Sequence, residues 1–173
     1  MNANALNAKY AHRPKSGMIV KDQIVLQPAQ YYYRFAHSMV KGQRQTRDQI
    51  VGGAWWIDAD VFNTIKNRAE RSESHLSSAA RRNLAIAKRW EGKVDIVVRA
   101  LLIGPLLAYI GPGTYQVFED SVPDDLSIWI PSPDAIQIYI PGLREKNPTT
   151  GYPIYRDAFA HAEQIRIGWD PTC

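Results

Sequence analysis

A chain of 173 residues, 45% hydrophobic and 22% charged, is long enough to bury a core and too ordinary in composition to be fibrous or disordered. The longest apolar run, residues 100–110, is too short to cross a bilayer and is broken by Gly104-Pro105, and the N-terminal residues lack the continuous apolar stretch of a secretory signal. Cys173 is the only cysteine, so no intramolecular disulfide can form, and a soluble protein in a reducing, cytoplasmic setting is the expectation, without a membrane partner.

The net charge of +4 hides an asymmetry: residues 1–100 hold 17 Lys+Arg against 8 Asp+Glu, and residues 101–173 hold 4 against 9. The basic half either offers a surface to an anionic partner or is neutralised by the acidic half within one fold.

In chain order, residues 1–17 are rich in Asn and Ala and read as a flexible N-terminal arm, leaving 18–173 as a single globular domain. Met18–Val20 and Gln23–Leu26 suggest a short or bent strand, and Gln30–Ala36 is a stronger, aromatic one. Residues Ser38–Asp48, with Lys41, Arg44 and Arg47 around Gly42, read as an exposed loop. The apolar stretch Gln49–Ile57 contains the pair Gly52-Gly53, where backbone can approach another group closely. Asp58 or Asp60 is a fitting N-cap for a helix to about Arg71, with Val61, Phe62, Ile65 and Ala69 on its apolar face. A second helix is predicted from about Ser77 to Trp90, capped by Ser77 or Ser78 and stopped by Gly92.

After Gly92 the period changes to two. Val94–Ile103 predicts a central strand, Pro105–Ile110 another, and Gly111-Pro112-Gly113 a sharp turn. Tyr115–Phe118, Ser127–Ile130, Ile136–Ile140 and Glu163–Trp169 complete the strands, with a short helical turn near Asp157–His161. Strands, then two helices, then mostly strands predict an α+β fold: a largely antiparallel sheet with two helices between the early and late strands.

The four histidines have no HxxxH spacing and there is no cysteine cluster, so the sequence carries no zinc signature. It has no GxSxG and no Walker loop. What remains are polar side chains set into aromatic or aliphatic strands. Arg34, between Tyr33 and Phe35, is suited to a phosphate or carboxylate held bidentately, or to an ion pair with an acidic residue. Period two puts Tyr33 and Phe35 on one face, Tyr32 and Arg34 on the other. Tyr32, Trp55 and Trp56 are candidates to flank a planar ring, the alternative being core packing.

Tyr33-Arg34 in a first strand, the segment Gly52–Trp56, a helical middle, and a late strand ending Gln137-Ile-Tyr-Ile-Pro141 together resemble the ADP-ribosyltransferase fold of bacterial toxins and effectors. The resemblance covers residues 30–141 and rests on the order of elements and on single residues. It implies NAD as a bound substrate, held by Arg34 and flanked by Tyr32, Trp55 or Trp56. It also implies a late acidic residue at the ribose, where an acceptor favours an oxocarbenium-like transition state. Two features depart from the family: there is no Ser-Thr-Ser triplet and no ExE or QxE pair. Gln137 stands where the acid is expected and lacks its charge, and Glu119 is the substitute candidate. The site then requires Arg34 and Gln137 on neighbouring strands, opening into one cleft with Tyr32 and a tryptophan.

Two other classes compete. A non-catalytic adaptor would bind nucleic acid or protein through Arg81, Arg82, Lys88 and Arg89 on the outer side of the second helix and through the 41–47 loop. An accessory protein would instead use its Trp and Tyr residues in an oligomer interface.

Overall fold

A computed structural model describes residues 4–86, 94–119 and 126–168. The strands are β1 (Asp22–Leu26), β2 (Tyr31–His37), β3 (Met39–Val40), β4 (Gln43–Arg44), β5 (Trp55–Asp58), β6 (Val94–Leu102), β7 (Leu106–Pro112), β8 (Gln116–Glu119), β9 (Leu126–Trp129), β10 (Ile136–Tyr139) and β11 (Phe159–Arg166). The helices are α1 (Arg47–Val51), α2 (Ala59–Arg71), α3 (Leu76–Leu84) and α4 (Ile154–Ala158). Seven strands form one sheet in the order β1-β7-β10-β5-β2-β6-β11, and every pairing within it is antiparallel. The architecture is α+β, as the change of period predicts.

The alternation of side chains along these strands builds two layers of core. On one face Tyr32, Ala36, Trp56, Val98, Leu102 and Ile138 pack under α1, α4 and Leu143. On the other, Ile57, with Tyr33 and Phe35 beside it, packs against Val61 and Ile65 of α2 and Ala79 and Ala80 of α3. Further along that second face, Leu107 and Tyr109 lie under Ala5 and Met18 of the N-terminal stretch. Those residues were expected to form a flexible arm. Instead Asn7, 0% exposed, donates from Nδ2 to Leu107 O (2.8 Å) and Pro141 O (2.9 Å) and accepts from Leu107 N (2.7 Å). A short polar side chain that replaces missing backbone partners in this way fixes a segment whose own regular structure is one 3-10 turn at Ala8–Tyr10.

The helix at 58–71 begins as predicted, with Asp58 Oδ1 accepting from Val61 N at 2.8 Å, a cap contributing about 1 kcal/mol. The second helix differs. Its N-cap is His75 rather than a serine, and both serines are buried inside its first turn. It ends at Leu84, because Ala85 turns into the left-handed region at φ 50°; the remainder of the predicted span, 87–90, lies outside the described residues. The loop expected at 38–48 contains the β3–β4 hairpin and the start of α1, whose Thr46 and Gln49 form a reciprocal capping box. Asp48 of α1 accepts from Tyr155 Oη and from Arg156 Nη2 (2.9 Å), which ties α1 to α4.

The turn predicted at Gly111–Gly113 is absent. Gly111 and Pro112 continue β7 opposite Gln137 and Ile136. Gly111 is needed for close approach: a Cβ there would sit 1.9 Å from Ile19 O, on the stretch whose Ile19 N donates to Pro112 O at 2.9 Å. Sequence shows that a glycine frees the backbone; only the neighbouring chain shows whether it is used to turn or to let another strand in.

Candidate functional site

β2 and β5 pair only through Tyr32–Asp58 and Tyr33–Ile57. Beyond that point Arg34 reaches across the two strands. Its Nε donates to Ile50 O (2.9 Å) and its Nη1 to Trp55 O (3.1 Å). The guanidinium lies so close over Gly53 that a Cβ there would be 2.0 Å from Cζ. The Gly52-Gly53 pair thus serves close approach, as its sequence suggests, and what approaches is Arg34 itself. Burial, and then the nearby Arg144 cation, bring the Arg34 pKa down to about 10, so it stays charged at neutral pH. Main-chain carbonyls take Nε and Nη1 in place of a carboxylate partner and leave Nη2 as the guanidinium nitrogen that can meet an anion.

On the face covered by α2 and α3, a cavity of about 170 Å³ lies where the end of α3 meets the N-terminal stretch, lined by Tyr33, Phe35, Trp55, Ile57, Leu84–Ile86, Gln116 and Gln137, with Gly17 and His37 also in its wall. Its floor follows from the strand register. Tyr33 is opposite Ile57, and the Ile138–Trp56 pair sets Gln137 one step further on, against Ile57. The walls are rigid: Tyr33 stacks on Phe62 of α2 with centroids 4.2 Å apart, and Trp55 meets Tyr139 edge to face at 5.1 Å. Gln137, 8% exposed, donates from Nε2 to Leu84 O at 3.2 Å. None of the cavity's described walls carries a carboxylate.

A second cavity, about 310 Å³, is bordered by Arg34, Gly52–Trp55 and Gly142–Glu145, including Arg144. The two share Arg34 and Trp55 and no other wall residue. Arg144 is itself anchored, donating from Nη2 to Gln49 O at 2.8 Å.

The arrangement that the sequence-derived site requires, Arg34 and Gln137 on neighbouring strands facing one cleft, is therefore not formed. Arg34, Trp55, Trp56 and Gln137 all border the first cavity. Arg34 and Gln137 are nevertheless not on neighbouring strands, since β5 lies between β2 and β10. Their side chains leave opposite faces: Arg34 is on the Trp56 and Tyr32 side, Gln137 on the Ile57 and Tyr33 side. Tyr32 is buried in the core and bonds Gln30 Oε1 at 3.2 Å; the ring facing the cavity from β2 is Tyr33. Trp56 is 1% exposed and stacks on Phe159, leaving the half-buried Trp55 as the accessible tryptophan. Glu119 ends β8 opposite Leu126, and its side chain lies outside the described residues. Gln116, Phe35 and Arg144 are the wall residues that sequence reasoning missed. Parity along β2 already paired Phe35 with Tyr33; nothing local marks Arg144.

The basic surface proposed for the second helix does not hold as drawn. Arg81 is buried, with Nη1 donating to Ile86 O at 3.4 Å; Arg82 is exposed; Lys88 and Arg89 lie outside the described residues. Among the described residues no group of His, Cys, Asp and Glu could hold a metal ion, and no helix is long and apolar enough to cross a membrane. Comparison with protein-family models, with curated proteins and with solved structures yields no match.

Proposed function

We propose that this protein binds a dinucleotide of the NAD type, with the nicotinamide in the aromatic cavity and the pyrophosphate between Arg34 and Arg144. One observation carries this reading: an aromatic cavity with no carboxylate in its described wall and a second cavity with two arginines in its wall share Arg34 and Trp55 as lining residues. A planar carboxamide ring suits a slot walled by Tyr33, Phe35 and Trp55 and faced by the amides of Gln116 and Gln137. Paired cations suit the phosphates.

The chemistry available at the ribose is weaker than the ADP-ribosyltransferase resemblance implies. Cleavage of the nicotinamide–ribose bond leaves positive charge on the ribose, which a carboxylate stabilises far better than a neutral carboxamide oxygen. Gln137 supplies only the latter. The reading is thus a binding protein in which transfer or hydrolysis of NAD is slow at best.

Titrating NAD while following tryptophan fluorescence tests this, because Trp55 borders both cavities. Saturable quenching by NAD is the expected result, with Gln137→Ala weakening it through loss of a hydrogen bond contributing about 1 kcal/mol, or several-fold in affinity. Released nicotinamide is measured in parallel by chromatography. Absence of quenching or heat at millimolar NAD would overturn the reading; rapid nicotinamide release would overturn the restriction to binding.

A further inference from the structure

A third cavity, independent of the NAD reading, is walled by Ser38, Arg44, Gln45, Arg47, Gln164 and Arg166, with Ile50 and Ile96 beneath, and encloses about 410 Å³. Its cations come from three separate elements: Arg44 from β4, Arg47 from the first turn of α1, and Arg166 from the end of β11. The fold spends effort to bring them together, since β11 pairs with β6 at Ile96–Arg166 and Arg47 Nη2 donates to Ala162 O of β11 at 2.8 Å. Like charges placed side by side repel, and Arg44 and Arg166 have no carboxylate partner among the described residues. Such a cluster is stable when an anion completes it.

We infer that this cleft binds the phosphate backbone of a nucleic-acid strand. Three arginines match several phosphates rather than one, and guanidinium forks suit phosphate oxygens. The described wall has no aromatic ring on which a base could stack, so recognition is of the backbone and not of the sequence. The amides of Gln45 and Gln164 add polar, uncharged partners for sugar and phosphate oxygens, while the Ser38 hydroxyl is already donated to Asp95 Oδ2. The basic loop 41–47 singled out in the sequence therefore finds its companion in Arg166, across the sheet edge, and not in α3.

The test is fluorescence anisotropy of the full chain with a labelled single-stranded oligonucleotide of mixed sequence, between about 50 and 200 mM salt. Three phosphate contacts predict a log–log slope of about −2 for a single strand. Arg44→Gln and Arg166→Gln should each weaken binding of all sequences alike and make the slope shallower, by about 0.7. Arg82→Gln, on the exposed side of α3, should leave both unchanged. Circular dichroism melts confirm that the variants are folded. No binding at the lowest salt overturns the inference, as does binding that ignores Arg44 and Arg166. Displacement of the strand by polyglutamate as effectively as by unlabelled oligonucleotide would point to an acidic protein and overturn it too. Binding of inorganic phosphate with no uptake of the strand would equally do so.

Discussion

Gly53→Ala tests the way Arg34 is held. An alanine Cβ would sit 2.0 Å from Arg34 Cζ, 2.1 Å from Nη2 and 2.3 Å from Nη1, so the guanidinium must leave. Its departure breaks the bonds to Ile50 O and Trp55 O. Hydrogen bonds to a charged donor contribute about 1.5–3 kcal/mol each. Water from the adjoining cavity can take over the freed carbonyls, which places the loss near the lower end, at about 3 kcal/mol for the pair. The decisive measurement is the same substitution in an Arg34→Ala background. The three atoms nearest to the new Cβ all belong to Arg34, so removing that side chain removes the closest clashes. The alanine should then be neutral, or stabilise by about 0.4–1 kcal/mol by narrowing the unfolded ensemble. Urea unfolding followed by fluorescence reads the four corners of the cycle. With m of about 2 kcal/mol per M, the midpoint should fall by roughly 1.5 M in the wild-type background and not at all in the Arg34→Ala one. An equal loss in both backgrounds would show that Gly53 is needed for its own backbone and not for Arg34, and the account would fail.

Asn7→Ala should destabilise by about 3 kcal/mol, because it strands the buried N–H and carbonyl of Leu107 and the carbonyl of Pro141; thermal melting should fall by roughly 6–12 °C, and an unchanged melt would mean that the N-terminal stretch contributes nothing to the core. Asp48 is held below the usual carboxylate range by the hydrogen bond from Tyr155, and next by that from Arg156. A carboxyl with a depressed folded pKa gives stability that is present above its unfolded pKa and lost as pH falls through the folded one. Asp48→Asn should therefore flatten the acid side of the stability profile while leaving its shape above pH 6 unchanged, and an identical acid limb in wild type and variant would contradict this. Asp134, held low by Ser132 and then by Arg68, predicts the same behaviour for Asp134→Asn, and Arg68→Met should reproduce part of it through loss of its 2.7 Å contact.

What the sequence determined by itself is local. Period two specified which residues of β2 and β10 share a face, the spacing of Val61, Ile65 and Ala69 specified the buried stripe of α2, and Asp58 marked where that helix starts. Each depends on contacts within a few residues, where the physics is carried by neighbours in the chain. Tertiary structure decided everything that depends on which element lies beside which. Arg34 and Gln137 each look like a site residue on their own strand, but β5 inserts between them and the register turns them to opposite faces. Gly111 and Gly113 look like a turn until Met18–Lys21 arrives alongside. Residues 4–17 look free by composition, yet one buried asparagine and the contact of His12 with Tyr139 (2.9 Å) hold them. Arg166 gives no local sign of belonging with Arg44 and Arg47, because the pairing of β11 with β6 and the contact of Arg47 with Ala162 bring them to one cleft. Distances along the chain are short-range information; packing of a sheet is long-range, and no single window of residues contains it.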